Sequence, residues 1–501
     1  MTEVEAKLAA WPGFELPALD DAVPGLVAEA NAPVTMEAAY LDAADLRLIR
    51  AGISLRHRTG EGGADGAWTL KLPDHDGADG AGDGVLRRSE LVVPGPPGEP
   101  PAAFLTTLRP WLRTGSLATV AHLRTERTRT RLRVDGQPVG EVDDDEVSVL
   151  QAGRVAARFR EVEVESRDPD VLRAVVARLR DAGAGAPDPT PKLVRALGPR
   201  ALQPPDLAVG DPGPDATAGE VLRSAIAASV QRIVEHDNVI RAGADPEGVH
   251  QARVGCRRLR SDLRTFAPLL DTTWSEPLRD ELRWLAGELG AVRDLDVLRG
   301  RLHAQVAELR DDEQAAAAPI VARLDRERAA AVQRAHAALD SRRYLALLDR
   351  LVDAANAPHT LPEAEATASE VVPGLAGVPF RKLRKAVKKL GKNPSDEALH
   401  ELRIKAKRAR YAADVAVPVV GDRARDYTKV LAGLQDVLGD HHDCAVAEAW
   451  LLEAAGRGTR SQSFALGLLV AGQRHEADRL RRQWRSAWKK VDRSKRTSWM
   501  A

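Results

Sequence analysis

Apolar residues recur at every second position in seven short stretches of the first 200 residues: 2–8, 53–58, 67–72, 86–93, 119–134, 138–149 and 157–165. Gly, Pro and Asp separate them, the pattern of antiparallel strands joined by tight connections. Helical spacing interrupts the alternation near 101–113 and 169–182. The Gly/Asp-rich stretch 74–84 lacks the acidic spacing and terminal Glu of a calcium loop, so it reads as a hairpin connection. Residues 201–214 (ALQPPDLAVGDPGP) carry Pro and Gly without helical period and read as a linker. From 215 onward, Ala/Leu/Arg-rich stretches of period 3.6 follow Asp or Ser caps, predicting an all-helical half.

The helical half repeats. VHQARVGCRRLR (249–260) returns as LHELRIKAKRAR (399–410), and LGAVRDLDVL (289–298) returns as LGDHHDCAVA (438–447). Two pseudo-symmetric four-helix units, about 215–364 and 365–501, are the simplest architecture. The expected fold is therefore α+β and multidomain. An antiparallel barrel of about eight strands with flanking helices spans 1–200, and the helical domain spans 215–501.

Bulk composition narrows the partners. Lys+Arg and Asp+Glu are equal at 73 each, so any anion site must be local. Two cysteines, Cys256 and Cys444, exclude a disulfide scaffold and fit a reducing cytosol. No signal peptide or apolar run of membrane length appears, so a soluble cytoplasmic protein is expected.

The polar faces of the strands carry the chemistry. Glu3, Glu5 and Lys7 share one face of the first strand; Glu161, Glu163 and Glu165 share one face of the last. Carboxylates brought together this way repel unless a cation sits among them. Arg56 and Arg58 are cofacial, as are Arg127, Arg129, Arg131 and Arg133; Lys71, Arg88, Glu90, Glu141, Asp143 and Asp145 add further charge. On one strand such alternation ordinarily marks a wet outer face. Repeated over successive strands, it predicts a closed or nearly closed barrel with a polar lumen, acidic on one side and basic on the other.

Together EVEAK (3–7), YLDAADLRLIRAGISLRHR (40–58), WTLK (68–71), RSE (88–90), EVEVE (161–165) and PKLVRAL (191–197) resemble the CYTH domain. This is the triphosphate tunnel metalloenzyme superfamily of inorganic triphosphatases, thiamine triphosphatases and class IV adenylyl cyclases. The resemblance implies that Glu3, Glu5, Glu161 and Glu163 bind Mg²⁺ or Mn²⁺, and that Lys7, Arg56, Arg58, Lys71, Arg127 and Lys192 clamp a triphosphate. Glu90 and Asp145 would complete the acidic surface, with Lys7, Glu3 and Glu5 at the catalytic centre. Pro191 stands where the family commonly has Ser, a departure that could shift Lys192; Ala43 replaces a usual Thr without expected effect. The implied chemistry is in-line attack of water on the terminal phosphorus, with no covalent nucleophile.

In the helical half, His250, Arg253, Arg257, Arg260 and Arg264 form one stripe, with Leu259, Leu263 and Phe266 opposite. His400, Arg403, Lys407 and Arg410 repeat it. Residues 381–410 hold twelve Lys/Arg against three Asp/Glu. Like charges along one helix face cost stability without an anionic partner. Aromatic residues are only 4% of the chain, which disfavours nucleic acid, where bases need stacking partners, and leaves polyphosphate. HHD at 441–443 matches Arg293-Asp294 of the first copy and suits either helix packing or a metal. HxxR at 250–253 and 400–403, RRLR at 257–260 and RDLDVL at 293–298 resemble the CHAD domain, a helical module associated with CYTH domains and polyphosphate binding. Two classes of function follow: a metal-dependent triphosphatase with a polyphosphate-binding helical half, or a non-catalytic protein directed to polyphosphate granules. Thiamine triphosphate hydrolysis and cyclic AMP formation are further enzymatic alternatives.

Overall fold

The computed structural model describes residues 4–60, 65–73, 88–213, 215–243, 245–455 and 460–500. Glu3 and the Gly/Asp-rich stretch 74–84 lie outside them. The chain divides into two units, Met1–Asp206 and Leu207–Ala501.

The first unit is built on β1 (Val4–Ala10), β2 (Leu26–Ala30), β3 (Val34–Asp42), β4 (Ser54–Thr59), β5 (Ala67–Pro73), β6 (Arg88–Pro94), β7 (Ala118–Val134), β8 (Gln137–Gln151) and β9 (Arg154–Ser166). They form one antiparallel sheet in the order β1-β9-β8-β7-β3-β4-β5-β6, with β2 added on β7. It curls into a half-barrel, and no pairing joins β1 to β6 among the described residues. Strands β2 and β3 are additions to the seven that alternation predicts. LVAEA of β2 is mostly Ala and Glu, residues depleted in strands, and Glu37, Ala38 and Ala39 interrupt the stronger strand formers Val34, Thr35 and Tyr40 of β3, so the sheet supplies part of the preference.

The pleat explains how one sheet serves two environments. Val162 and Val164 of EVEVE face outward with Leu8, Val142 and Leu132, and pack under Val171, Val175 and Leu179 of α3 (Pro169–Asp181). Each fully buried Val or Leu stabilises the fold by about 1.5–3 kcal/mol. Asp168 caps α3, accepting from the Asp170 amide at 2.8 Å. The helices α1 (Arg47–Arg50) and α2 (Ala102–Leu112) cover Leu55, Trp68 and Leu70 in the same way. The Asp42 carboxylate caps α1, accepting from Leu48 and Ile49 amides at 3.0 and 2.9 Å. A last short helix, α4 (Lys192–Leu197), lays Leu193 against Tyr40, Leu123 and Val147, so that its first turn borders the concave face.

The second unit is helical: α5 (Ala218–Ala242), α6 (Pro246–Thr265), α7 (Thr272–Ala307), α8 (Asp311–Leu339), α9 (Arg342–Asn356), α10 (Ala368–Lys389), α11 (Asp396–Val415), the one-turn α12 (Val417–Val420), α13 (Asp422–Ala455), α14 (Arg460–Val491) and α15 (Ser494–Thr497). The repeat read from sequence is a pseudo-twofold. Helices α5 to α8 correspond to α10, α11, α13 and α14. The N–H of Ala218 donates to the Ala366 carbonyl at 2.9 Å, and Ala368, 150 positions after Ala218, donates to the Ala216 carbonyl at 2.8 Å. Thr217 and Thr367 thus pair across the axis. Helix α9 has no counterpart of its length among the described residues. It packs on α5 through buried Tyr344, whose hydroxyl donates to Asp237 at 2.7 Å. Leu259, Leu263 and Phe266 are fully buried, as the stripe requires. No helix among the described residues is long and apolar enough to cross a membrane.

Candidate functional sites

Strand register sorts the charges of the concave face into rows. In the first row Glu5 lies opposite Glu165, and Glu165 opposite Glu141. In the next, Lys7, Glu163, Asp143 and Arg129 follow one another, and then come Glu161, Asp145 and Arg127. The DDD run resolves cleanly. Asp143 and Asp145 point inward, while Asp144 points outward to Arg160 at 2.7 Å. A cleft of about 250 Å³ results, lined by Glu5, Lys7, Arg56, Arg58, Lys71, Glu90, Arg127, Asp145, Glu163 and Lys192 among the expected residues. Glu161 is brought to the same place but lies behind Lys192, fully buried.

The cleft is an ion-pair network. Arg127 forks onto Asp145 (Nε–Oδ1 2.7 Å, Nη2–Oδ2 2.6 Å) and also reaches Glu163 at 3.3 Å. The Lys192 ammonium sits among Asp145, Glu161 and Glu163 at 2.7, 2.8 and 3.0 Å. Pro191 is the N-cap of α4 and itself lines the cleft, so the departure from Ser leaves Lys192 directed inward. Lys7 bridges Glu5 at 2.7 Å and Glu163 at 2.8 Å. On the opposite wall Lys71 pairs with Glu90 at 3.0 Å, and Arg56 donates to the Tyr40 hydroxyl at 3.2 Å.

Burial would raise the Glu163 carboxyl, yet Lys192 and Lys7 hold it well below the usual carboxylate range. Burial pushes Glu161 up despite Lys192. Glu165 is pushed up to about 7 by burial together with Glu5, Glu163, Glu141 and Asp143. Burial would raise Tyr40 too, but the Arg56 guanidinium pulls it below its ordinary value. Two carboxylate groups fit a hard divalent cation, which prefers oxygen donors. The oxygens of Asp145, Glu161 and Glu163 lie within 4.8 Å of one another, around a point the Lys192 ammonium occupies. Glu5, Glu141, Glu163 and Glu165 line the cleft itself, where like charges face one another across three strands.

Arg129, Glu141, Asp143 and Glu165 also line the cleft, on the faces that alternation gives them, although the resemblance assigns them no role. Arg129 forks onto Asp143 at 2.7 and 2.8 Å, one row from Arg127. The period-two pattern was sufficient to group these residues. Tyr40 carried no such signal, because its strand was not evident.

In the helical unit, α6 and α11 bring Arg257, Arg260 and Arg264 together with Arg403 and Lys407 around a pocket of about 170 Å³ that Arg408 and Tyr411 also line. Burial, then Arg257, Arg403 and Arg253, pull the Lys407 ammonium down to about 6. Burial, then Arg408, Arg279 and Arg260, lower Arg264 to about 10. Such a concentration of positive charge seeks an anion.

The rest of the stripe flanks the pocket. Arg253 donates to Asp294 at 3.1 Å, and its repeat mate Arg403 lies 3.9 Å from Asp443. Arg410 donates to Gln435 at 3.4 Å. His400 lies beside His442, rings tilted by 36° and Nδ1 atoms 3.1 Å apart, and burial with Arg403 lowers His442 to about 4. Burial, then Arg293, the residue at the corresponding place, lower His250. His441 turns the other way, 3.4 Å from Asp396, so the HHD residues serve separate contacts.

A half-barrel with charges of both signs in its cleft, followed by a duplicated basic helical bundle, defines the class. The chain belongs to the CYTH–CHAD proteins: the CYTH domain model matches residues 1–187 and the CHAD domain model matches 224–452. It is 31% identical to Mycobacterium tuberculosis Rv2226 (strain H37Rv) over 536 aligned positions, 99% of this chain and 97% of that one. Among solved structures it is similar to PptA from Streptomyces chartreusis (26% identity, TM-score 0.48, 55% of this chain and 100% of that one). It is also similar to the CHAD domain from the plant Ricinus communis (27% identity, TM-score 0.47, 56% of this chain and 95% of that one).

Proposed function

We propose that the N-terminal unit hydrolyses inorganic triphosphate or a closely related triphosphate with a divalent cation, and that the helical unit binds polyphosphate. One observation carries the first half: a single cleft presents guanidinium and ammonium groups from β1, β4, β5, β7 and α4, with carboxylates from β1, β8 and β9 beside them. A linear triphosphate is the small ligand that needs both, cations for its oxygens and carboxylates for its metal.

Glu5, Glu163 and Glu165, with Glu141 beside them, would hold Mg²⁺ or Mn²⁺, which when bound neutralises phosphoryl oxygens as a Lewis acid. Arg56, Arg58 and Lys71 bind the chain from the basic wall, fixing the phosphorus in line for attack by water. Lys7, Arg127 and Lys192, which converge on Glu163, stabilise the charge on the departing pyrophosphate. Tyr40 orients Arg56 through its hydroxyl. Phosphate release from tripolyphosphate, thiamine triphosphate and ATP, compared at equal metal, tests the reading and ranks the substrates.

The Lys407 environment carries a prediction for the helical half. With its ammonium lowered to about 6, Lys407 is largely neutral in the free protein at neutral pH. A bound polyanion favours the charged form, so binding takes up a proton. Affinity for long-chain polyphosphate is then full below pH about 6 and falls, by up to about tenfold per pH unit, as pH rises above it. Lys407→Arg keeps its charge throughout and flattens the profile. Binding isotherms across this pH range check both outcomes.

A further inference from the structure

The pseudo-twofold is broken at one interface, and the break is a basic groove. In the first repeat α5 and α6 close tightly. A Cβ at Gly248 would lie 2.8 Å from the Val239 side chain, and a Cβ at Gly255 would lie 2.8 Å from the Ser229 carbonyl oxygen. At the corresponding positions of the second repeat, 150 residues on, Ala398 replaces Gly248, Lys405 replaces Gly255 and Lys389 replaces Val239. The α10–α11 pair opens accordingly into a groove of about 450 Å³. Lys382, Lys385, Lys389 and Lys405 line it, over a floor that includes Ala386, Leu390 and Leu402. Where the α10 lysines stand the first repeat has Arg232, Glu235 and Val239, so only Lys382 has a basic counterpart and the run of like charge belongs to the second copy.

We propose that this groove is a second anion-binding track, along which a long polyphosphate continues after leaving the pocket between α6 and α11. The inference rests on the proposal that the helical unit binds polyphosphate. Three observations favour that occupant. Arg408 lines the pocket and Lys405, one turn earlier on α11, lines the groove, so the two share one helix and a continuous basic rim. The groove lining includes a single carboxylate, Glu401, held by Lys405 at 2.8 Å in an ion pair that a phosphate can replace. The apolar floor offers phosphate no bond, but a low-dielectric wall beneath charges of one sign concentrates their field. With the groove in only one repeat, the bound chain leaves the pseudo-symmetric pocket in one direction.

The test compares three variants of the full chain for binding of long-chain polyphosphate. Lys382→Gln with Lys385→Gln and Lys389→Gln is expected to weaken binding about tenfold and to lower its salt dependence. Lys489→Gln with Lys490→Gln and Lys495→Gln, which removes equal charge from exposed positions elsewhere on the unit, is expected to change little. Arg257→Ala with Arg403→Ala tests the pocket. If the groove triple leaves affinity unchanged while the pocket variant loses it, the track is overturned while pocket binding stands, and the groove then suits an acidic peptide. An equal loss in both lysine triples also overturns it, since bulk charge alone would account for the effect. Unchanged affinity in the pocket variant sinks the underlying reading instead.

Discussion

Glu163→Gln is expected to cut metal-dependent triphosphate hydrolysis by about 10²–10³-fold while leaving polyphosphate binding by the helical unit intact. Glu163 is the carboxylate on which the cleft converges, with Lys7 at 2.8 Å, Lys192 at 3.0 Å and Arg127 at 3.3 Å. The amide keeps the shape and removes the charge. It weakens the oxygen set for the cation and leaves three basic groups short of a partner. Orthophosphate release by purified wild-type and variant chains at saturating Mn²⁺ reads the effect. A variant that retains more than half the wild-type rate would move the metal site elsewhere.

The second large effect is expected in the helical unit. Arg257→Ala with Arg403→Ala should weaken long-chain polyphosphate binding roughly 10²-fold, since each charge-assisted bond to phosphate contributes about 1.5–3 kcal/mol. The slope of log affinity against log salt should fall by about 2, one for each lost phosphate contact. A third readout separates anion binding from a merely structural role. Arg257 and Arg403 are the largest charge causes of the lowered Lys407 ammonium, so removing them lets Lys407 keep its proton to higher pH. The pH at which affinity declines should therefore move upward in the double variant. An unaltered midpoint with unaltered affinity would show that the pocket is not the anion site.

The sequence carried much of this because strand and helix periods act directly on charge. EVEVE and the four alternate arginines of β7 could be assigned to faces from period two, and the pleat places Val162 and Val164 outward and the glutamates inward. The helical repeat was equally legible, down to the pairing of Arg253 with Arg403. What sequence could not show was register. Whether Glu161 or Glu165 faces Glu5 depends on how β1 slides along β9, and the pairing selects Glu165. The expected ligand Glu161 lies instead behind Lys192 and 3.7 Å from Arg195. Strand β3 is hard to read because Glu37, Ala38 and Ala39 break the alternation between its strand formers Val34 and Tyr40, and Tyr40 is hidden with it. The groove had its residues in plain view at a spacing of 150, but Gly255 and Lys405 acquire meaning only once α5–α6 and α10–α11 are seen as the same interface.

The most direct test of the central claim is a time course of tripolyphosphate with the full chain and Mg²⁺ or Mn²⁺. The account predicts orthophosphate and pyrophosphate in equal amounts, release that stops on chelation, and loss of that release in Glu163→Gln. Polyphosphate bound normally with no product formed, whichever cation is supplied, would contradict it and leave a binding protein in its place.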